Sequence, residues 1–188
     1  MVAVGMSRAL LGGRLGACYD ECGFTRHRNP KGSMMNAQAE AALNSFIEKL
    51  DAFLVDCARY EESGAWDTAE LGYMSAYFEA DLTGVVMQTM RMDGIFKRAE
   101  AEVFNRMFNT NYTPKMLRDN YRLLKPVIDD YCDVDARDAL STLAKVDENL
   151  CDKYRELILE ACNVVSLSDG VAEHGEIELI ERLRAALK

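Results

Sequence analysis

Proline is scarce in this chain: three in 188 residues, at positions 30, 114 and 126. No stretch alternates apolar and polar residues as a half-buried strand does. These two absences exclude a β-rich protein and leave an all-α one. No apolar run approaches the ~20 residues of a membrane-spanning helix. Basic residues are in deficit, 22 Lys and Arg against 31 Asp and Glu, for a net charge of -9. That balance excludes nucleic acid as a partner, because counterion release needs clustered Lys and Arg. It also argues against docking on anionic lipid. Histidine is limited to His27 and His174. There is no His-Glu-x-x-His, no Gly-rich phosphate loop after a strand and no local Cys/His pair. Catalysis therefore has no signature, and a non-enzymatic role is expected. The six cysteines, at 18, 22, 57, 132, 151 and 162, follow no framework spacing. A chain of this length needs no disulfide staples, so reduced thiols in the cytoplasm are expected.

What is present is a globular composition, 49% hydrophobic and 28% charged, which rules out wholesale disorder. The charge is uneven: residues 1–33 hold five basic and two acidic residues, the remainder 17 and 29. Residues 1–33 show no sustained period and read as a disordered tail. Ala9-Leu10-Leu11 is too short for a secretory signal. Cys18, Cys22 and His27 lack a fourth zinc ligand. Translation starting at Met34 or Met35 would remove this tail altogether.

Residues 34–64 read as an N-terminal amphipathic helix. Asn36 is a fair N-cap, and Leu43, Phe46, Leu50, Phe53, Cys57 and Tyr60 alternate spacings of three and four. Packing on the chain's own domain is the preferred reading, and a homodimer seam through 36–60 the sharper alternative. Gly64 supplies the stop. Residues 65–188 read as a helical domain. A helical region from about Trp66 to Met92 has an apolar face including Met74, Phe78, Val85, Val86 and Met90, with Gly72 and Gly84 as weak points. Thr113-Pro114 is a start signal. Met116, Leu117, Tyr121, Leu123 and Leu124 are the apolar positions that follow, and Pro126 should kink or restart that helix. Asp133 or Asp135 caps a short helix. A long helix runs from Tyr154 through Val165, and a last one carries Leu183 and Leu187.

Two stretches of the chain match. Setting Asp93 on Asp169 sets Gly94 on Gly170, Glu100 on Glu176 and Glu102 on Glu178. Ile95, Val103, Phe104 and Met107 then fall on Val171, Leu179, Ile180 and Leu183. Each unit reads as a helix, an Asp-Gly turn and a second helix. Glu100 and Glu176 precede their apolar positions by three, four and seven residues, so each tops an apolar stripe, whereas Glu102 and Glu178 lie nearer solvent. A carboxylate at a core rim requires a partner: loop N–H groups, an arginine, or a metal ion shared with the Asp. A capping box needs a small polar cap three residues before the Glu, and Lys97 and Glu173 stand there. An EF-hand is excluded, because its first and third positions would be Thr89 and Arg91, or Val165 and Leu167.

This pattern of helix, Asp-Gly, Glu seven residues on, helix, then the same again near the end resembles the TerB-like helical domain. The likeness rests on Met92-Asp93-Gly94 with Glu100 and Ser168-Asp169-Gly170 with Glu176, and covers roughly residues 78–188. The family is associated with bacterial tellurite resistance and stress response. A similar region occurs in membrane-anchored J-domain cochaperones, although no His-Pro-Asp occurs in this chain. The resemblance implies a compact bundle of about seven helices, here with an added N-terminal helix. It implies a divalent cation (Ca, Mg, Mn or Zn) held by Asp93, Glu100, Asp169 and Glu176. A protein partner, of no stated identity, is expected as well. A purely structural interaction domain without metal, its Glu residues accepting backbone N–H bonds, is the competing expectation.

Overall fold

The computed structural model describes residues 35–92, 94–128, 136–168, 170 and 174–188. These contain eight helices and no strand. In chain order they are α1 (Ala37–Ser63), α2 (Thr68–Leu71), α3 (Met74–Met90), α4 (Arg98–Met107), α5 (Pro114–Ile128), α6 (Ala136–Ala144), α7 (Glu148–Ser166) and α8 (His174–Ala186). The architecture is the expected one, seven helices preceded by an amphipathic α1. The tail at 1–33, with Cys18, Cys22 and His27, lies outside the described residues, as do Asp133 and Asp135.

Local signals set the ends of the helices. The Asn36 side chain accepts the Ala39 N–H at 2.8 Å and opens α1. Gly64, at φ 75, closes it. Its N–H donates to the Glu61 carbonyl, and the Ala65 N–H donates to the Tyr60 carbonyl. This pair of bonds is the Schellman arrangement, which only a residue at ease in the left-handed region completes without strain. Thr113 Oγ1 accepts the Met116 N–H at 3.2 Å, so the Thr-Pro start of α5 forms as read. Asp147 opens α7 by accepting the Asn149 N–H at 2.7 Å.

Two elements differ from the sequence reading. The 66–92 region is broken, because Gly72 ends α2 at φ 77; its carbonyl accepts the Trp66 indole N–H at 2.7 Å. Gly84 leaves α3 intact. α3 is also buried on nearly every side instead of along one stripe, as befits the middle of a bundle. Several of its polar side chains find partners within the helix or on α7. The Thr83 and Thr89 hydroxyls donate to the Glu79 and Val85 carbonyls at 2.8 and 2.9 Å, and Asp81 accepts the Tyr154 hydroxyl. In α5, Pro126 neither stops nor restarts the helix, which runs through it to Ile128. The inward stripe of α5 is Leu117, Tyr121 and Leu124, whereas Met116 and Leu123 point outward. Each of those two sits one residue, about 100° of helix, away from the stripe.

α7 lies at the centre, packed against α1, α3, α4, α6 and α8. Its Tyr154 stacks on Phe53 of α1 at 5.3 Å and meets Phe78 of α3 edge-on at 5.0 Å. Leu43, Phe46, Leu50, Phe53 and Cys57 of α1 are essentially fully buried in this same core. The stripe considered as a dimer seam is therefore covered by the chain's own helices. A second copy would have to use the other, polar side of α1. Polar contacts hold the register of α1: Arg106 of α4 donates to both oxygens of Glu40 at 2.6 and 2.7 Å, and Lys49 pairs with Glu160 of α7 at 2.7 Å. Surface pairs of this kind contribute little energy, and the apolar stripe provides the stabilisation. Burial also suppresses thiol chemistry, pushing the Cys57 pKa up to about 12.

Candidate functional site

The repeat in sequence is a repeat in structure. α3 ends at Met90 and α7 at Ser166; α4 starts at Arg98 and α8 at His174. All four boundaries fall in the register that sets Asp93 on Asp169. The turns share two backbone bonds. Met92 N–H donates to the Thr89 carbonyl, and Ser168 N–H to that of Val165. Gly94 N–H donates to the Arg91 carbonyl at 2.9 Å, and Gly170 N–H to that of Leu167 at 3.3 Å. The two glycines adopt φ 92 and φ 85, which is why glycine stands in both turns.

Each turn delivers a glutamate to the first turn of the next helix. Glu100 is 2% exposed and Glu176 5%. Glu102 is half-buried and Glu178 exposed. The offsets in sequence had separated the inward pair from the outward pair correctly. Glu100 Oε2 accepts the Lys97 N–H at 2.7 Å. This is the glutamate half of a capping box, formed despite the lysine at the cap. The bond uses the cap's backbone N–H, which every residue but proline has, so the identity of the cap side chain does not prevent it. Asp93 and Asp169 lie outside the described residues.

The two loops share one end of the bundle. A Cβ placed on Gly175 would stand 3.5 Å from both the Cβ and the carbonyl oxygen of Met92. The start of α8 thus rests on the first Asp-Gly turn. Gly170 faces the Asn36 side chain, 3.9 Å from its Nδ2 to the Cβ position, so the N-cap of α1 adjoins the second turn. Ile95, aligned with the apolar Val171, is 61% exposed. The core place is taken by Phe96, which packs on Tyr121 at a centroid separation of 5.8 Å. His174 lies on the surface and approaches Glu178 at 3.0 Å.

The second unit has a feature that motif reading missed. The hydroxyls of Ser166 and Ser168 are buried and have no hydrogen-bond partner. In the first unit Met90 and Met92 occupy the matching positions. The signal was present in the alignment as serine set against methionine, but its meaning depended on burial. Buried hydroxyls without partners are uncommon, because each costs about 1–3 kcal/mol. Glu176, in the first turn of the helix that follows them, is buried as well. At the first unit one Glu100 oxygen already accepts a backbone N–H, and Lys97 and Arg98 add positive charge. Among the described residues no three His, Cys, Asp or Glu side chains gather as a metal cluster.

Comparison with known families matches residues 79–188 to the tellurite resistance protein TerB family. No curated protein and no solved structure matches the chain. The match begins inside α3 and takes in both loop–helix units, so α1 and α2 precede it. With more than half its length matched, and with the duplicated turns inside that span, the chain belongs to the TerB family.

Proposed function

We propose that this chain is a non-enzymatic interaction module of a cytoplasmic stress response, and that its paired-loop end responds to a divalent cation. The observation that carries the cation reading is the buried, unpartnered Ser168 hydroxyl in the loop–helix unit that also holds the buried Glu176. Ser168, Asp169 and Glu176 would hold the ion in the second unit, completed by backbone carbonyls and water; Asp93 and Glu100 would form the weaker first unit. The ion would tie the second loop to the start of α8, and so stiffen the end of the bundle. A protein partner would then recognise that end in its ordered form. The family's link to tellurite resistance supports the stress-response part.

Metal-dependent melting tests this. Adding Ca, Mg, Mn or Zn should raise the midpoint, and at 100 times Kd mass action amounts to about 2.7 kcal/mol. Asp169→Asn and Glu176→Gln should abolish the rise, and Asp93→Asn should leave most of it. Ser168→Ala provides a sharper check. Removing an unpartnered buried hydroxyl should stabilise the metal-free protein by up to about 1 kcal/mol, yet diminish the response to metal. No shift with any of the four ions would sink the cation reading.

The bond from Lys97 N–H to Glu100 favours a second reading, in which both glutamates only brace their own helix starts. The protein would then be a structural interaction domain without metal, and Glu176→Gln would change stability equally in the presence and absence of ions.

A further inference from the structure

Burial divides the methionines of this chain. Met74, Met87, Met90 and Met107 are fully buried, whereas Met92 and Met116 are 38% and 45% exposed. Met116 stands on the outer side of α5. Met92 stands at a junction. The three atoms nearest a Cβ built on Gly175 are its Cβ, its Cε and its carbonyl oxygen, each at 3.5 Å. The Met92 side chain therefore lies folded over the first turn of α8, and its terminal methyl, bonded to the sulfur, touches that turn. Its main chain is tied to α3, because its N–H donates to the Thr89 carbonyl at 3.1 Å. Met92 also lines a cleft of about 360 Å3, with Tyr121 and Leu179 among its neighbours there. The cleft gives small solutes a route to this side chain. The matching position of the second unit holds Ser168, so the thioether belongs to the first unit alone.

We propose that Met92 is a site of reversible oxidation by peroxide, and that its sulfoxide loosens the start of α8. A sulfur lone pair attacks one oxygen of hydrogen peroxide. An S–O bond forms as the O–O bond breaks, and the departing hydroxide takes the proton of the transferred oxygen and leaves as water. Sulfur gives up the two electrons that the peroxide gains. The product is bulkier, and it is polar where the thioether was apolar. Overfilling a closed contact forces its neighbours to shift, and a polar group pressed against carbon without a hydrogen bond is costly. Because the main chain of Met92 is tied to α3, the side that yields is the first turn of α8, which carries the buried Glu176. Methionine sulfoxide reductases reverse the modification. Met92 would thus be a latch whose release is set by oxidant.

The inference is independent of cation binding, and its test is run on the full chain in metal-free buffer. After treatment with dilute hydrogen peroxide, peptide mass spectrometry should find Met92 and Met116 oxidised well before Met74, Met87, Met90 and Met107. The treated protein should melt roughly 2–6 °C lower, the scale of a modestly overfilled contact in a domain of this size. Its amide hydrogen exchange should rise more at the start of α8 than in α1. Met92→Leu, close in volume and without sulfur, should remove the fall on treatment, and Met116→Leu should keep it. The effect is read within each variant, treated against untreated, so a shift in the parent midpoint of Met92→Leu does not obscure it. Reduction of the treated protein by methionine sulfoxide reductases should restore the midpoint. Three results would overturn the proposal: Met92 oxidising no faster than the four buried methionines, an equal fall in Met92→Leu, or no recovery on reduction, which would trace the loss to other damage.

Discussion

Tyr60 and Asp147 show how one residue pair can make stability depend on pH. The Tyr60 hydroxyl, near the end of α1, donates to the Asp147 carboxylate that caps α7. That bond, with the Asn149 N–H second, holds the Asp147 carboxyl below the usual carboxylate range. The same bond, foremost among several causes, raises the Tyr60 hydroxyl above its ordinary value. A carboxyl whose folded pKa is depressed contributes fully above its unfolded value of ~3.9 and loses that contribution as pH falls through the folded value. The phenol's contribution is full below ~10 and fades as pH rises through its raised value. Tyr60→Phe should therefore flatten the acid limb of a stability–pH curve measured by urea melts from pH 2 to 7, and lower stability at neutral pH. An acid limb identical to that of the parent protein would refute the coupling. Glu100 teaches a related lesson at this scale. Lys97 is a poor cap by residue type, and the bond to its backbone forms regardless.

Among the elements, α8 is informative because a glycine stands in its first turn. Gly175 has no positive φ, and an added Cβ would meet Met92 only at 3.5 Å, an ordinary van der Waals distance. Neither backbone strain nor crowding demands glycine there. Gly175→Ala should stabilise the protein by about 0.5–1 kcal/mol by reducing the freedom of the unfolded chain. A chemical melt measures this, and a destabilised variant would mean that contact with the first Asp-Gly turn is too tight for a methyl group. α5 and α3 show why periodicity located helices better than it located their faces. The apolar residues of α5 cover two adjacent strips, and only packing selects Leu117, Tyr121 and Leu124 for the core. α3 is buried nearly all round, polar residues included, so its sequence could not name a single inward side.

For the molecule as a whole, the question is whether α1 is an appendage or part of the core. The helix stop at Gly64 resembles a boundary in sequence, but the aromatic contacts of Phe53 with Phe78 and Tyr154 cross it. Removing residues 1–63 would expose the faces of α3 and α7 that α1 covers. The shortened chain should lose its cooperative thermal transition, seen by circular dichroism. Phe46→Ala in the full chain should cost about 3–5 kcal/mol, a large part of the 5–15 kcal/mol typical of a domain. A shortened chain that melts cooperatively near the parent midpoint would make α1 an appendage.

Some of this protein was written in the order of its residues. Helical class, the stop at Gly64, the Thr113-Pro114 start, the matched turns and the inward pointing of Glu100 and Glu176 all follow from interactions spanning a few residues. Local spacing suffices for these, because a helix turns every 3.6 residues and only glycine enters the left-handed region at little cost. Other features exist only once distant helices meet. They include the burial of α1 by its own chain, the unpartnered hydroxyls of Ser166 and Ser168, and the contact between Met92 and Gly175. Burial and electrostatic field are sums over neighbours in space, and for these residues the deciding neighbours are supplied by packing and not by sequence order.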